Sequence, residues 1–293
     1  MKILLTGKNG QVGFELNKKL SILGEVIATD RNELDLADPD KIRAYVDQVK
    51  PDIIINAAAY TAVDKAESEP ELAYQINVIA PQVLAEKAAE LNILLVHFST
   101  DYVFDGLKKE PYIESDQINP QSIYGKTKYE GEEKVRAHLK HIILRTSWVF
   151  GGHGNNFLRT ILRLILDKES LNIVADQRGS PSSASMLADV TFKIIDTAFN
   201  NKNFNNFGTY HVTNEGETNW YQYASLIANE AIKLNLKIKC KPDYIYPILA
   251  SDYPTAAMRP LNSGLNTDKL KKTFMLELPH WESEVKKVLR EII

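Results

Sequence analysis

Apolar residues in the first half of the chain come in short runs. Between the runs, apolar positions step by three and four. Lys2–Thr6 is a short apolar run ending at Gly7, which predicts a buried strand. Gln11–Leu23 carries Val12, Leu16, Leu20 and Leu23 on one helical face. Glu25–Thr29 predicts a second strand. Pro39–Lys50 predicts a helix with Asp38 as its cap, Pro39 in its first turn, and Ile42, Tyr45, Val46 and Val49 on one face. Three consecutive isoleucines in Asp52–Asn56 suit a strand covered on both sides. Glu71–Leu91 reads as a long Ala-rich helix and Ile93–Ser99 as a strand. Ser122–Leu139 then reads as a helix and His141–Thr146 as a further strand.

Strand and helix in alternation imply an α/β protein with a parallel sheet and helices on both faces. Right-handed crossovers make that a doubly wound, Rossmann-type sheet. The alternation loosens beyond residue 150. Helical patterns at Phe157–Leu166, Met186–Phe199 and Trp220–Leu234 are separated by short strand candidates, and Pro242, Pro247, Pro254 and Pro260 gather in one irregular segment. The expected organisation is a dinucleotide-binding domain over residues 1–150 and a smaller α+β substrate-binding region over 151–293. The two interleave, with no flexible linker.

Composition narrows the partners. Lys+Arg is 35 and Asp+Glu is 38, a net charge of −3. No global basic field exists for nucleic acid or an anionic membrane. Cys240 is the single cysteine, which excludes an internal disulfide and any multi-cysteine metal site. No stretch reaches the roughly 18 apolar residues of a membrane span. The opening residues carry only three apolar side chains in a row, too few for a signal-peptide core. The cytoplasm is the expected location.

The first turn carries candidate chemistry. Gly7, Gly10 and Gly13 are spaced G-x-x-G-x-x-G, directly after a strand and opening a helix. A tight turn needs a residue that tolerates positive φ, and close approach to a pyrophosphate needs a bare backbone. The helix N-terminus then offers free N–H groups to the diphosphate. Asp30 follows 20 residues after Gly10, where a carboxylate meets the adenosine ribose hydroxyls. A carboxylate repels a 2′-phosphate, and the adjacent Arg31 partly offsets this, giving a slight lean to NADH over NADPH. No Gly-Lys-Ser/Thr follows the glycines, so this is no ATP phosphate loop.

Tyr124 and Lys128 stand four residues apart, on one face of a predicted helix. A lysine cation within a few ångströms is expected to lower the phenol pKa, fitting Tyr124 to donate a proton to a carbonyl oxygen as hydride arrives at carbon. Thr100, at the end of the preceding strand, can bond the same oxygen. Trp148, just after a strand, offers a face for a sugar ring. Arg259, in the Pro-rich loop, can pair with a diphosphate. His97 lies within an apolar strand and reads as a core residue.

These residues, in this order, resemble the extended short-chain dehydrogenase/reductases that act on nucleotide sugars. The segments that carry the resemblance are Asn56–Glu67, Ser99–Gly106, Tyr124–Lys128, Arg145–Val149, Asn155–Phe157, Asp176-Gln177 with Gly179–Pro181, and Arg259–Ser263. The resemblance implies reduction of the C4 keto group of a deoxythymidine-diphosphate sugar by NADH or NADPH. By analogy Gly10, Gln11 and Val12 contact the pyrophosphate, Asp30 the ribose, and Asp35 and Leu36 the adenine side. Ala59 and Thr61 line the way to the nicotinamide. Tyr124 is the proton donor, Lys128 tunes it and binds the nicotinamide ribose, and Thr100 positions the keto oxygen. Thr100, Asp101 and Trp148 hold the sugar, with Val103, Asn156 and Arg259 as further contacts.

Some members of that family dimerise around magnesium held by glutamates. Here Ser185 and Met186 precede Leu187-Ala188-Asp189, without a glutamate. The expectation is therefore a monomer or weak homodimer, and, since the histidines form no ligand spacing, no catalytic metal. Two alternatives stay open. One is a non-catalytic dinucleotide-binding regulatory subunit. The other is an epimerase or dehydratase on another nucleotide sugar, although a dehydratase calls for an Asp-Glu pair where Asp101-Tyr102 stand.

Overall fold

Five apolar segments of the first half become parallel strands, and a sixth arrives from much further along the chain. A computed structural model describes residues 1–293. In it β1 (Lys2–Thr6), β2 (Glu25–Thr29), β3 (Ile53–Asn56), β4 (Leu94–Thr100) and β5 (His141–Thr146) join a strand at Gly208–His211. The order across the sheet is Gly208–His211, β5, β4, β3, β1, β2, and every pairing is parallel. Side chains alternate across a strand, so consecutive residues reach opposite faces. Ile3, Leu5, Ile53, Ile55 and Val96 therefore enter one core, and Leu4, Ile54, Leu95 and Ile143 the other.

Each face is covered by amphipathic helices. α1 (Gln11–Leu20) and the helix Ala184–Asn200 fill the first core with Leu16, Leu20, Leu187 and Ile194. α2 (Pro39–Val49) lies over the second with Ile42 and Val46, and Asp38 caps it by accepting from the Lys41 amide. α1 stops at Leu20, short of the expected Leu23. Ser21 donates to the Lys18 carbonyl there, and the chain turns into Gly24.

The expected long helix is interrupted. α3 (Val63–Ala66) precedes α4 (Pro70–Tyr74), a π turn (Gln75–Ile79) and α5 (Ala80–Glu90). Pro81 has no N–H to offer the Asn77 carbonyl, so the ordinary ladder cannot pass this point. Ala80 donates instead to Gln75, one residue further back. The freed carbonyl sits against α6 (Ile123–Arg136): a Cβ at Gly131 would lie 2.0 Å from it. Gly131 thus permits α6 to pack directly on the π turn.

Beyond β5 a third core gathers the helices Phe157–Asp167, Trp220–Lys233 and Trp281–Ile292 around Phe150, Leu171, Cys240 and Ile245. The helices Asp268–Phe274 and Trp281–Ile292 lie past the last element that the periodicity predicts. Trp281, Val285, Val288 and Leu289 are buried at helical spacing and carry the missed signal.

Candidate active site

The carboxyl ends of β1, β3, β4 and β5 open onto a cleft of about 690 Å³. The glycine loop forms one end. Gly7 has φ +82°, and a Cβ at Gly13 would lie 2.0 Å from the Gly7 carbonyl oxygen. Gly13 therefore serves close packing of α1 on the loop and does not line the cleft. Gly10 stands at the helix cap, and no side chain caps the first turn. Gly10, Gln11 and Val12 line the cleft, at a helix start whose first N–H groups have no partner within the helix. That cradle fits a dinucleotide pyrophosphate. Asp30 lines the same end, accepting from the Asn32 amide and from Asn9 Nδ2 at 2.9 Å each. The Asn32 bond is the main reason its carboxyl stays below the usual range.

Ala59, Thr61, Thr100, Asp101, Tyr124, Lys128 and Trp148 line the cleft as well. Asp35 and Leu36 do not: Leu36 is buried in the core under α2, and Asp35 accepts from the Ala37 amide and faces Arg31 at 3.8 Å. Val103 is also displaced from its expected place. Its side chain is fully buried with Phe104, Tyr112 and Leu265. Asn156 caps the helix Phe157–Asp167 and donates to Gln11 Oε1 and the Gly151 carbonyl, leaving Asn155 to line the cleft.

The residues expected to react sit on β4 and α6. Thr100 Oγ1 donates to Asp101 Oδ1 at 3.0 Å. Asp101 Oδ2 is buried without a partner, an acceptor left for a ligand hydroxyl. Burial raises the Asp101 carboxyl to about 6, against the pull of nearby hydroxyls. Burial also drives the Tyr124 phenol well above its ordinary value; the Thr100 hydroxyl offsets part of this and the Asp101 charge adds to it. The expected lowering by Lys128 is not found. The Lys128 ammonium donates to the Phe98 carbonyl at 2.7 Å and lies 3.4 Å from His97 Nε2, so it is directed at the strand. Burial lowers Lys128 itself to about 8, with Glu132 pulling it back up. Asn77, on the π turn, clamps Tyr60 through both its backbone groups and donates to Thr127 Oγ1, tying α6 to the loop after β3.

A second cavity, about 410 Å³, adjoins the cleft at Tyr102 and Trp148. Trp148 holds a left-handed backbone, φ +49°, and one face of its ring is stacked on Trp220, with centroids 3.5 Å apart. A Cβ at Gly179 would press on its edge at 2.9 Å. The indole is thus fixed before any ligand arrives. Arg259 also lines this cavity, paired with Asp64 at 2.7 Å and donating to the Tyr102 hydroxyl at 3.3 Å. Tyr102 in turn meets Tyr124 edge-on. Tyr102, Trp220 and Asp64 are residues that the sequence reading missed. An aromatic at a helix start reads as core, and nothing local marks Asp64 as the partner of a residue 195 positions away.

The RmlD substrate binding domain family matches residues 1–293. The chain is 44% identical to a dTDP-4-dehydrorhamnose reductase of Escherichia coli K12, over 100% of this chain and 98% of that protein. The chain belongs to the dTDP-4-dehydrorhamnose reductase family. A solved member of that family from Clostridium acetobutylicum superposes with a TM-score of 0.92 at 40% identity, covering 100% of this chain and 99% of that one. Another, from Bacillus anthracis in complex with NADP, gives 0.90 at 36% identity, with 99% of each chain covered. The family reading agrees with the strand-end location of the cleft, where ligands bind in doubly wound sheets.

Proposed function

We propose that this chain catalyses the NAD(P)H-dependent reduction of the C4 keto group of dTDP-4-dehydro-L-rhamnose, giving dTDP-L-rhamnose. The observation that carries this is the convergence of Thr100, Tyr124 and Lys128 at one cleft whose far end is a bare-backbone pyrophosphate cradle. Gly7, Gly10, Gln11 and Val12 hold the cofactor diphosphate, Asp30 its ribose, and Ala59 and Thr61 border its nicotinamide. When bound, the cofactor supplies a hydride to the keto carbon.

Tyr124 supplies the proton that balances it. Its raised pKa keeps the phenol protonated at neutral pH, as a donor requires. The Thr100 hydroxyl orients the keto oxygen toward Tyr124, and Asp101 Oδ2 accepts from a sugar hydroxyl. Lys128 places a positive charge beneath the site, where its ammonium meets the nicotinamide ribose. Trp148 presents its free face to the sugar, and Arg259 meets the diphosphate. Asp30 stays ionised and disfavours a 2′-phosphate, while Arg31 beside it attracts one. Both cofactors are therefore accepted, with NADH slightly favoured. The same reading takes the chain to work as a monomer or weak dimer.

The test is purified protein with dTDP-4-dehydro-L-rhamnose and each reduced cofactor in turn, followed by loss of nicotinamide absorbance. Oxidation of cofactor that depends on the keto sugar is expected. Tight, stoichiometric cofactor with no net oxidation would instead indicate an epimerase or dehydratase cycle.

A further inference from the structure

Three polar side chains cross the sheet in one row beneath the cleft. Thr6, Asn56 and His97 lie on β1, β3 and β4, with Thr6 opposite Asn56 and Asn56 opposite His97. All three are buried, 1% exposed or less. Two residues earlier, the same face presents Leu4, Ile54 and Leu95. Thr6 Oγ1 lies 2.7 Å from Asn56 Oδ1, and Asn56 Nδ2 lies 3.1 Å from His97 Nδ1. His97 Nε2 lies 3.4 Å from Lys128 Nζ. Polar groups in an apolar layer are costly unless each is bonded, and this chain of bonds ends on a charged one.

We propose that His97 is a positioning residue for Lys128, supplying a second acceptor beside the Phe98 carbonyl for its ammonium under the cleft, while Asn56 and Thr6 hold the ring's tautomer. The proposal rests on the reading of Lys128 given above. An ammonium only donates, so His97 Nε2 must offer a lone pair and carry its proton on Nδ1. Asn56 then has to present Oδ1 to the ring. Turning its amide over exchanges the two ends without changing its shape. When Lys128 loses its proton, the pattern reverses: Nε2–H donates to the amine and Nδ1 accepts from the Asn56 amide nitrogen. The tautomer of His97 thus follows the charge on Lys128. Burial, and then the Lys128 charge, hold His97 well below its ordinary pKa and shut out the doubly protonated ring.

The Phe98 carbonyl also accepts from Lys128 at 2.7 Å; Glu132 on α6 is the nearby charge, and Tyr124 on α6 and Asp101 in the turn after β4 line the same cleft. Arg145 on β5 is held by Glu132, and Asn77 of the π turn is bonded to Tyr60 and Thr127. A hydrogen bond to the charged form favours that form, so losing the His97 acceptor lowers the Lys128 pKa further from about 8. The alkaline limb of the kcat profile then moves to lower pH.

Nitrogen-15 histidine spectra test the contact on the whole protein, with His97 identified among six histidines by its loss in His97→Gln. The expected result is an Nδ1–H tautomer at neutral pH that gives way to Nε2–H as Lys128 deprotonates. An Nε2–H tautomer at neutral pH, or one that ignores the lysine, overturns the proposal. In the assay, His97→Asn reaches Asn56 but not Lys128. Its alkaline limb should fall by about one pH unit, a tenfold change in the protonation ratio. His97→Gln extends an amide to Lys128 and should restore the limb. A limb unmoved in His97→Asn also overturns it. A wild-type protein inert toward the keto sugar counts against the proposed function alone, since the spectra decide the His97–Lys128 contact without substrate.

Discussion

Thr100, Asp101, Tyr124 and Lys128 stand on one strand end and one helix of the main sheet, whereas Trp148, Trp220 and Arg259 come from segments outside it. The first group is fixed by buried hydrogen bonds running down to β1 and across to the π turn. The second is fixed by ring stacking and by one half-exposed ion pair. Directional bonds in a dry layer hold atoms to the tolerance that proton transfer needs. Stacked rings hold a plane but tolerate sliding, which suits recognition of a sugar and its base. The contrast implies that substitutions in the floor act on kcat, and substitutions in the wall act on KM for the sugar nucleotide.

Tyr124→Phe is the strongest way to test the floor. kcat should fall by about 10²–10⁴-fold, the usual worth of a general acid, with cofactor binding retained in a fluorescence titration. Near-normal turnover would remove Tyr124 as the donor.

Glu132→Gln probes the layer below it. Burial opposes ionisation of Glu132, but the bonds and charge of Arg145, with Arg136, outweigh it and hold the carboxyl below its usual value. Breaking this pair strands a buried guanidinium and should cost about 3–5 kcal/mol in urea unfolding. A carboxyl depressed in the fold contributes stability above its unfolded pKa and loses it as pH falls through the folded value. The variant should therefore lose less stability on acidification than the wild type.

Trp220→Ala tests the wall. Losing its stack on Trp148 should raise KM for the sugar nucleotide about tenfold, roughly 1.4 kcal/mol, and leave kcat little changed. A fall in kcat with KM unmoved would erase the distinction between wall and floor. Asp30→Asn carries the smallest effect, a few-fold shift toward NADPH in the ratio of kcat/KM values, read by the same absorbance assay.

Much of the sheet was legible in the chain. Lys2–Thr6 and His141–Thr146 match their observed bounds, because a strand buried on both faces needs an unbroken run and leaves that run as its mark, and the half-buried edge strand Glu25–Thr29 matches as well. Gly208–His211 leaves none: Gly-Thr-Tyr-His is short and mixed, and only its pairing with β5 makes it a strand. The π turn was hidden inside an even apolar pattern, and only Pro81 hinted at it. In the site, the glycine loop, Thr100, Tyr124 and Lys128 were legible because spacing along one strand–helix unit decides their neighbours. Val103 and Asn156 sit within matching motifs, yet packing turned one into the core and made the other a helix cap. Trp220 and Asp64 were illegible because their partners are distant in sequence.

The edge strand at Gly208–His211 has a consequence for how the chain is made. A ribosome delivers β1 to β5 first, and β5 then waits with one row of backbone groups unpaired until residue 211 has emerged. The helix Ala184–Asn200, which covers the face shared with α1, arrives only shortly before. A nascent chain paused near residue 150 therefore exposes both an open sheet edge and an uncovered apolar face, the combination that invites strand pairing between chains. Synthesis must outrun that pairing, or a holdase must shield the edge until the last strand closes it.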